Sequence, residues 1–266
     1  MTKPNFFIAG AQKSGTSTLY RMLKKHPGIF LSKEKELNFF NQSGITQEKF
    51  SKFLLNFSEA TNQRYIGEAT PHYYSSTAGD DVRSFTAEHI ARFIGRDVSI
   101  VLILRNPVER AMAGWRHNYV YGRFDKYTSI FETPPSQGVL ELSHYARHWN
   151  AWTKIFPEEN FHVCLFDDLS TAPKSLLREL LMKLKLPFAE THYGDFPFER
   201  STNRITTNMK NRHINILPGF RLDEIQRLVE LFEPDITHVE YITGRNLNHW
   251  RDATEISKRF SEVVPP

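Results

Sequence analysis

The chain has 266 residues, of which 40% are hydrophobic and 24% charged, the balance of a soluble globular protein with room for one α/β domain and at most two. A formal net charge of +4 and an isoelectric point near 9.0 suit an anionic ligand but are too mild to argue for nucleic acid. The single cysteine excludes an internal disulfide, no apolar run is long enough to span a membrane, and the first strand begins within the opening residues, so a cytoplasmic protein is expected.

The first element is the apolar run Phe6-Phe7-Ile8-Ala9, read as a buried strand. After Gly10 comes a small polar loop, then Leu19 to Lys25, a helix with Leu19, Met22 and Leu23 on one face. A strand that turns through glycines into a helix gathers free backbone N–H groups and the positive end of the helix dipole at one spot. Lys13 adds a full charge there. The loop Gln12-Lys13-Ser14-Gly15-Thr16-Ser17 is therefore read as a phosphate cradle. It departs from the P-loop pattern, which places Lys-Ser/Thr directly after the second glycine. Here Thr16-Ser17 follows Gly15, and the lysine lies inside the loop.

His26-Pro27-Gly28 stops the helix. In Lys33-Glu34-Lys35-Glu36-Leu37-Asn38-Phe39-Phe40-Asn41 two readings stand for Glu36. It is part of a solvated charge cluster, or it is a carboxyl desolvated against Phe39 and Phe40, its pKa raised by burial, and so a general base. Residues 41–64 read as a helix with a loop. The segment Tyr65 to Tyr74 holds His72 and Tyr73, which line an acceptor pocket or belong to a structural loop. Ser99 to Leu104 is the clearest strand, suited to the middle of a parallel sheet. Arg105 follows at its C-terminal end, where open α/β sheets bind ligands. A kinase would want an Asp there for magnesium; Arg favours a phosphate read without a metal.

Pro107 opens a helix to about Tyr121, and Gly122 to Gln137 is a long loop of the kind that serves as a lid or binding loop. An aromatic-striped helix spans about Glu141 to Ile155. A strand at 161–166 carries Cys164, a buried thiol by its neighbours. Asp168, in the turn before a helix over 170–184, is read as a capping residue. Residues Arg200 to Arg212 form a polar basic loop with Lys210 and Arg212. Leu222 to Phe232 is a helix, and Tyr241 to Trp250 a closing segment. No cluster of residues at metal-ligand spacing occurs.

The chain resembles the sulfotransferases that use 3′-phosphoadenosine-5′-phosphosulfate (PAPS), in particular the heparan-sulfate-type and bacterial carbohydrate branch. The resemblance rests on Gly10 to Thr16, Leu19 to Leu23, His26-Pro27, Lys35-Glu36-Leu37-Asn38-Phe39-Phe40, Leu104 to Arg110, Phe166 to Leu169 and Gly244 to Leu247, in consistent order. It implies one domain over 1–266, a three-layer α/β sandwich around a mainly parallel sheet, laid out like P-loop kinases. It further implies sulfuryl transfer from PAPS to an acceptor hydroxyl, or an amine, with release of adenosine 3′,5′-bisphosphate (PAP) and no metal. Glu36 would be the base and Lys13 would neutralise the leaving oxygen. Gln12, Lys13, Ser14, Gly15, Thr16 and Ser17 would hold the 5′-phosphate, Arg105 the 3′-phosphate, and Lys210 and Arg212 would close over the nucleotide. Asn38, Phe40, His72 and Tyr73 would line the acceptor side. The chain departs from the branch at Asn38 and Asn41, where His and Asp are usual, at Ala69 in place of Lys, and at Ala113 in place of the Ser that assists Arg105. Two other classes remain: a small-molecule kinase using Mg-ATP, and a non-catalytic binder of sulfated or phosphorylated polymers.

Overall fold

Every residue of β1 (Phe6–Gly10) is buried, because the strand is paired on both sides. In the computed structural model β1 runs parallel to β3 (Tyr65–Ala69), with Phe7 opposite Glu68, and parallel to β4 (Ser99–Leu104), with Phe6 opposite Ser99. The short β2 (Ile29–Leu31) adds to β3, and β5 (Phe161–Leu165) adds to β4, both in parallel. The order is β2-β3-β1-β4-β5. Near-continuous apolar strands are what a parallel sheet covered on both faces requires. The structure describes residues 2–75, 85–198, 209, 211–212 and 214–263.

The chain forms two compact units. One comprises residues 1–104 and 147–199, the other residues 105–146 and 200–266. In the first, alternate residues of β1 face opposite layers. Phe6 and Ile8 pack with Leu19, Met22 and Leu23 of α1 (Thr16–Leu23) and with Leu177, Leu180 and Leu181 of the helix Pro173–Lys183. On the other face Phe7 meets Phe40 and Tyr73, ring centroids 5.9 and 6.4 Å apart. Phe40 in turn packs on Phe53 of α2 (Gln47–Leu54) at 5.1 Å. Helical layers thus flank a parallel sheet, the expected α/β sandwich. Each such side chain contributes about 1.5–3 kcal/mol on burial.

The second unit is built on α4 (Pro107–Val120), which packs Val108, Ala111, Met112 and Trp115 against Ile225, Leu228 and Phe232 of the helix Leu222–Thr243 and Ile256 near the C-terminus. Between α2 and α4 lies α3 (Thr86–Phe93), a part of the first unit.

Several element boundaries differ from the sequence reading. The helix foreseen over 141–155 divides into a 3₁₀ turn at Glu141–Ser143 and α5 (Tyr145–Trp152). The helix foreseen over 170–184 is two, α6 (Phe166–Thr171) and α7 (Pro173–Lys183), because Pro173 cannot continue the ladder and starts a new helix instead. Asp168 lies inside the first turn of α6, where Leu165 is the cap residue, so Asp168 is not the cap. The helix foreseen to end at Phe232 runs on to Thr243 through Pro234. An interior proline costs roughly 3 kcal/mol. Here Ile236 and Val239 are buried past the proline, and the Asp235 carboxylate accepts the Ala146 N–H at 3.0 Å; both support the helix past that point. The long loop 122–137 is no free lid. Ile130 is in the core, with Val139 just beyond the loop, the Trp115 indole N–H donates to the Thr128 carbonyl at 3.0 Å, and 3₁₀ turns form at Ile130–Glu132 and Pro135–Gln137. Among the described residues no helix is long and apolar enough to cross a membrane.

Candidate active site

The turn between β1 and α1 is shaped by two glycines and a strained lysine. Gly15, at the helix start, has φ +90°, and a Cβ there would lie 2.5 Å from Leu169 Cδ2. Both the backbone and the packing therefore demand glycine. Lys13 also lies in the left-handed region, φ +67°, uncommon for a side chain of its size. Gly15 provides no capping oxygen, so the N–H groups of Thr16 and Ser17 in the first turn of α1 have no partner within the helix. The Ser14 Oγ is buried with no hydrogen-bond partner. The Ser14 N–H donates to the Ala11 carbonyl at 3.3 Å, and the orphaned Ser14 hydroxyl with the first-turn amides of α1 is a fit for the oxygens of a phosphate. Gln12, Lys13, Ser14 and Gly15 form this turn, and Thr16 and Ser17, read from sequence as part of the loop, open α1.

The segment after β3 is laid across the end of β1. The Tyr74 N–H donates to the Ala9 carbonyl at 2.8 Å, and a Cβ on Gly10 would lie 2.7 Å from Tyr74 Cβ. This brings His72 to the cradle, where the Gln12 side-chain amide and His72 Nε2 hydrogen-bond at 2.8 Å.

Glu36 differs from the sequence expectation. Its side chain is 48% exposed and paired with the Lys35 Nζ at 2.5 Å. Partial burial pushes its pKa up, but the hydrogen bond from Lys35 and the charges of Lys35, His72 and Lys13 outweigh it, and the pKa is lowered. Its cationic neighbours thus hold the carboxylate ionised further toward acid pH than an ordinary glutamate. Glu36 has φ +65° and Asn38 φ +52°, so the chain turns sharply here and points Glu36 outward. The same alternation sends Phe40 inward. Phe40 and Tyr73 are fully buried and support the turn; they do not line an acceptor surface. Asn38 and His72 are half-buried. The Asn38 amide donates to the Glu36 carbonyl at 2.6 Å and its Oδ1 accepts from Asn41 at 3.2 Å.

The carboxyl that burial does perturb is Glu68, which the sequence reading passed over. It is fully buried at the end of β3, and desolvation raises its pKa to about 7 although the Tyr73 and Thr70 hydroxyls and the Leu37 N–H all donate to it.

In the second unit Arg105 binds Glu109 Oε2 through Nε at 2.9 Å and Nη2 at 2.7 Å. The other oxygen of Glu109 accepts from Arg259 Nε at 2.6 Å. Two guanidiniums share one carboxylate and leave net positive charge. Arg259 could not be linked to this place from sequence, since it lies 150 residues from Glu109. Arg212 stacks its guanidinium 4.2 Å from the Tyr121 ring centroid. Lys210, and the loop at 200–208, lie outside the described residues.

Comparison with known proteins gives concordant results. The family described as Sulfotransferase domain matches residues 3–221. Heparan sulfate glucosamine 3-O-sulfotransferase 5 of Mus musculus is 25% identical, across 92% of this chain and 73% of its own length. Membrane-associated sulfotransferase kil1 of Dictyostelium discoideum is 36% identical, across 73% of this chain and 58% of its own. The crystal structure of a sulfotransferase from Alicyclobacillus acidocaldarius superposes with a TM-score of 0.67 at 23% identity, covering 94% of this chain and 100% of that one, a likeness of fold.

Proposed function

The chain belongs to the sulfotransferase family and is a sulfotransferase, and we propose that it moves the sulfuryl group of PAPS to a hydroxyl of a carbohydrate, a glycolipid or a small metabolite. When bound, PAPS supplies an activated sulfuryl group on a phosphate leaving group. The S–O bond to that phosphate breaks, a new S–O bond forms to the acceptor oxygen, and PAP is released.

The chain's own residues divide the work as follows. The amides and hydroxyls of the 12–17 turn, with the Ser14 Oγ at its centre, hold the 5′-phosphate. Lys13 stabilises the negative charge that grows on its oxygen, a fixed charge needing no reorganisation as the bond breaks. Glu36 takes the acceptor proton. Arg105 binds the 3′-phosphate in exchange for its pairing with Glu109, and Arg212 and Lys210 add positive charge for the nucleotide. Asn38 and His72 contact the acceptor.

The observation that carries this reading is the β1–α1 turn, where the buried Ser14 Oγ has no partner and the first-turn amides of α1 have no side-chain cap, with the charges of His72 and Lys13 acting on Glu36. That field also gives Glu36 its timing. Phosphate bound at Lys13 cancels part of the positive field on Glu36, so the carboxylate becomes more basic once the donor is in place.

The test is transfer of radiolabel from [³⁵S]PAPS to a panel of heparan-derived oligosaccharides, glycolipids and small alcohols. Lys13→Ala and Glu36→Gln are each expected to lose about 10²-fold or more in turnover. Near-normal turnover of Glu36→Gln at saturating acceptor overturns the base assignment. Label transfer from [γ-³²P]ATP with magnesium, and none from PAPS, overturns the donor.

A further inference from the structure

Glu68 has no part in the chemistry above, yet it is the centre of a buried network. Its Oε2 accepts from the Thr70 hydroxyl at 2.8 Å and its Oε1 from the Tyr73 hydroxyl at 2.6 Å. The Leu37 backbone N–H is a third donor. Both hydroxyl oxygens are used again. Thr70 Oγ1 accepts the Asn38 N–H at 3.3 Å, and the Tyr73 oxygen accepts the N–H groups of Phe39 at 3.0 Å and Phe40 at 3.3 Å. The Glu36 N–H goes to the Ala69 carbonyl at 2.9 Å. Every main-chain N–H from Glu36 to Phe40 therefore ends on the segment 68–73.

The loop needs this hold. Two left-handed residues, Glu36 and Asn38, stand within three positions, and non-glycine residues keep such backbone only where the surroundings over-determine it. The direction of each bond also matters. A hydroxyl has one hydrogen, so Thr70 and Tyr73 can present lone pairs to the loop only by spending that hydrogen elsewhere. An ionised Glu68 accepts from both and from Leu37. A protonated Glu68 must place its own hydrogen toward one of the three donors, and that link is broken.

We propose that Glu68 is a positioning residue for the acceptor loop: its ionised carboxylate fixes the Thr70 and Tyr73 hydroxyls as acceptors for the amides of Asn38 to Phe40, and so holds Glu36 where it takes the proton. The proposal rests on the reading of Glu36 as the base.

The bonds that hold the loop consequently change as pH rises through neutrality, because burial lifts Glu68 to about 7, whereas Glu36 itself ionises below its ordinary range. Among the groups around Glu68, Tyr73 is its own hydrogen-bond partner, held neutral well above its usual pKa by burial and by Glu68. On the loop stands Glu36, with Lys35, His72 and Lys13 acting on it. The paired stretches of the neighbouring strands bring only the apolar residues Phe6 to Ile8 and Ile29 to Leu31.

The experiment is a pH series from 5.5 to 8.5 on the full chain by NMR, following the amides of residues 37–40 and the Glu68 carboxyl carbon, with amide exchange corrected for its intrinsic pH dependence. Loop amides and carboxyl carbon should move together with a midpoint near 7. In Glu68→Gln the transition should vanish. In Tyr73→Phe, which keeps the ring, exchange at Phe39 and Phe40 should quicken by about tenfold, the worth of one lost hydrogen bond, while Leu37 is unmoved. In the [³⁵S]PAPS assay Glu68→Gln should lower kcat and lose the acidic limb near 7, with KM for PAPS unchanged. Loop amides that do not titrate between pH 6 and 8, or that titrate unaltered in Glu68→Gln, overturn the proposal. The amide readout uses neither donor nor acceptor, so it stands or falls separately from sulfuryl transfer.

Discussion

Burial of Glu68 has a cost that equilibrium unfolding can read. Its folded pKa, about 7, lies above the ordinary 4.5. The folded state therefore holds this proton more tightly than the unfolded chain. Stability linked to Glu68 is fully present below pH 4.5, declines as pH rises toward 7, and is flat beyond it. A rise from 4.5 to about 7, at roughly 1.4 kcal/mol per pH unit, amounts to ~3 kcal/mol. No discount for solvent screening applies, since the side chain has no exposure. Glu68→Gln removes this linkage and leaves every other titration in place. The difference in unfolding free energy between variant and wild type, measured in urea at intervals from pH 4.5 to 8, should shift toward the variant by ~3 kcal/mol across that range. Its absolute value also contains the cost of the altered hydrogen bonds, but that cost does not change with pH. A difference that stays level from pH 4.5 to 8 refutes the argument, since it would mean that Glu68 ionises alike in the folded and unfolded states.

Other expectations follow from the cradle and the core. Gly15→Ala places a methyl at φ +90° and 2.5 Å from Leu169, so it should destabilise by about 1–3 kcal/mol and weaken PAP binding; urea unfolding at full stability sinks the steric account. The pKa of Glu36, followed by its carboxyl carbon, should rise when PAP is added, because bound phosphate offsets the Lys13 charge; an unchanged value separates the two residues electrostatically. Leu177→Ala, fully buried in the layer under the sheet, should cost 2–5 kcal/mol of stability while leaving KM for PAPS intact. A change confined to KM would place Leu177 in the site.

What the sequence made legible was local. The strand Ser99–Leu104 announces itself as five apolar residues in a row after Ser99, and the 10–18 segment carries its glycines, lysine and hydroxyls within nine positions. The strand lies where expected, whereas the helix begins three residues before Leu19, at Thr16, and takes Thr16 to Thr18 out of the loop. Glu36 was legible as a candidate, but its environment was not. Its aromatic neighbours suggested burial, whereas two positive φ angles aim Phe40 into the core and Glu36 outward. Glu68 reads in sequence as an acidic residue near the end of a strand. Its perturbation comes from burial, opposed by hydrogen bonds from Tyr73, Thr70 and the N–H of Leu37 some thirty residues earlier, a setting that only folding brings together. The same holds for Arg259 at Glu109. Pro234 illustrates the converse, a strong local stop signal overridden by the burial of Ile236 and Val239.

The donor decides the account, and calorimetric titration of the full chain with PAP, 5′-AMP and Mg-ATP tests it most directly. Tight binding of PAP is expected, with 5′-AMP much weaker for lack of the 3′-phosphate that Arg105 is proposed to receive. At about a hundred times the dissociation constant PAP should add roughly 2.7 kcal/mol to stability. Arg105→Ala should bring PAP down to the affinity of 5′-AMP. Binding of Mg-ATP with no response to PAP contradicts the account.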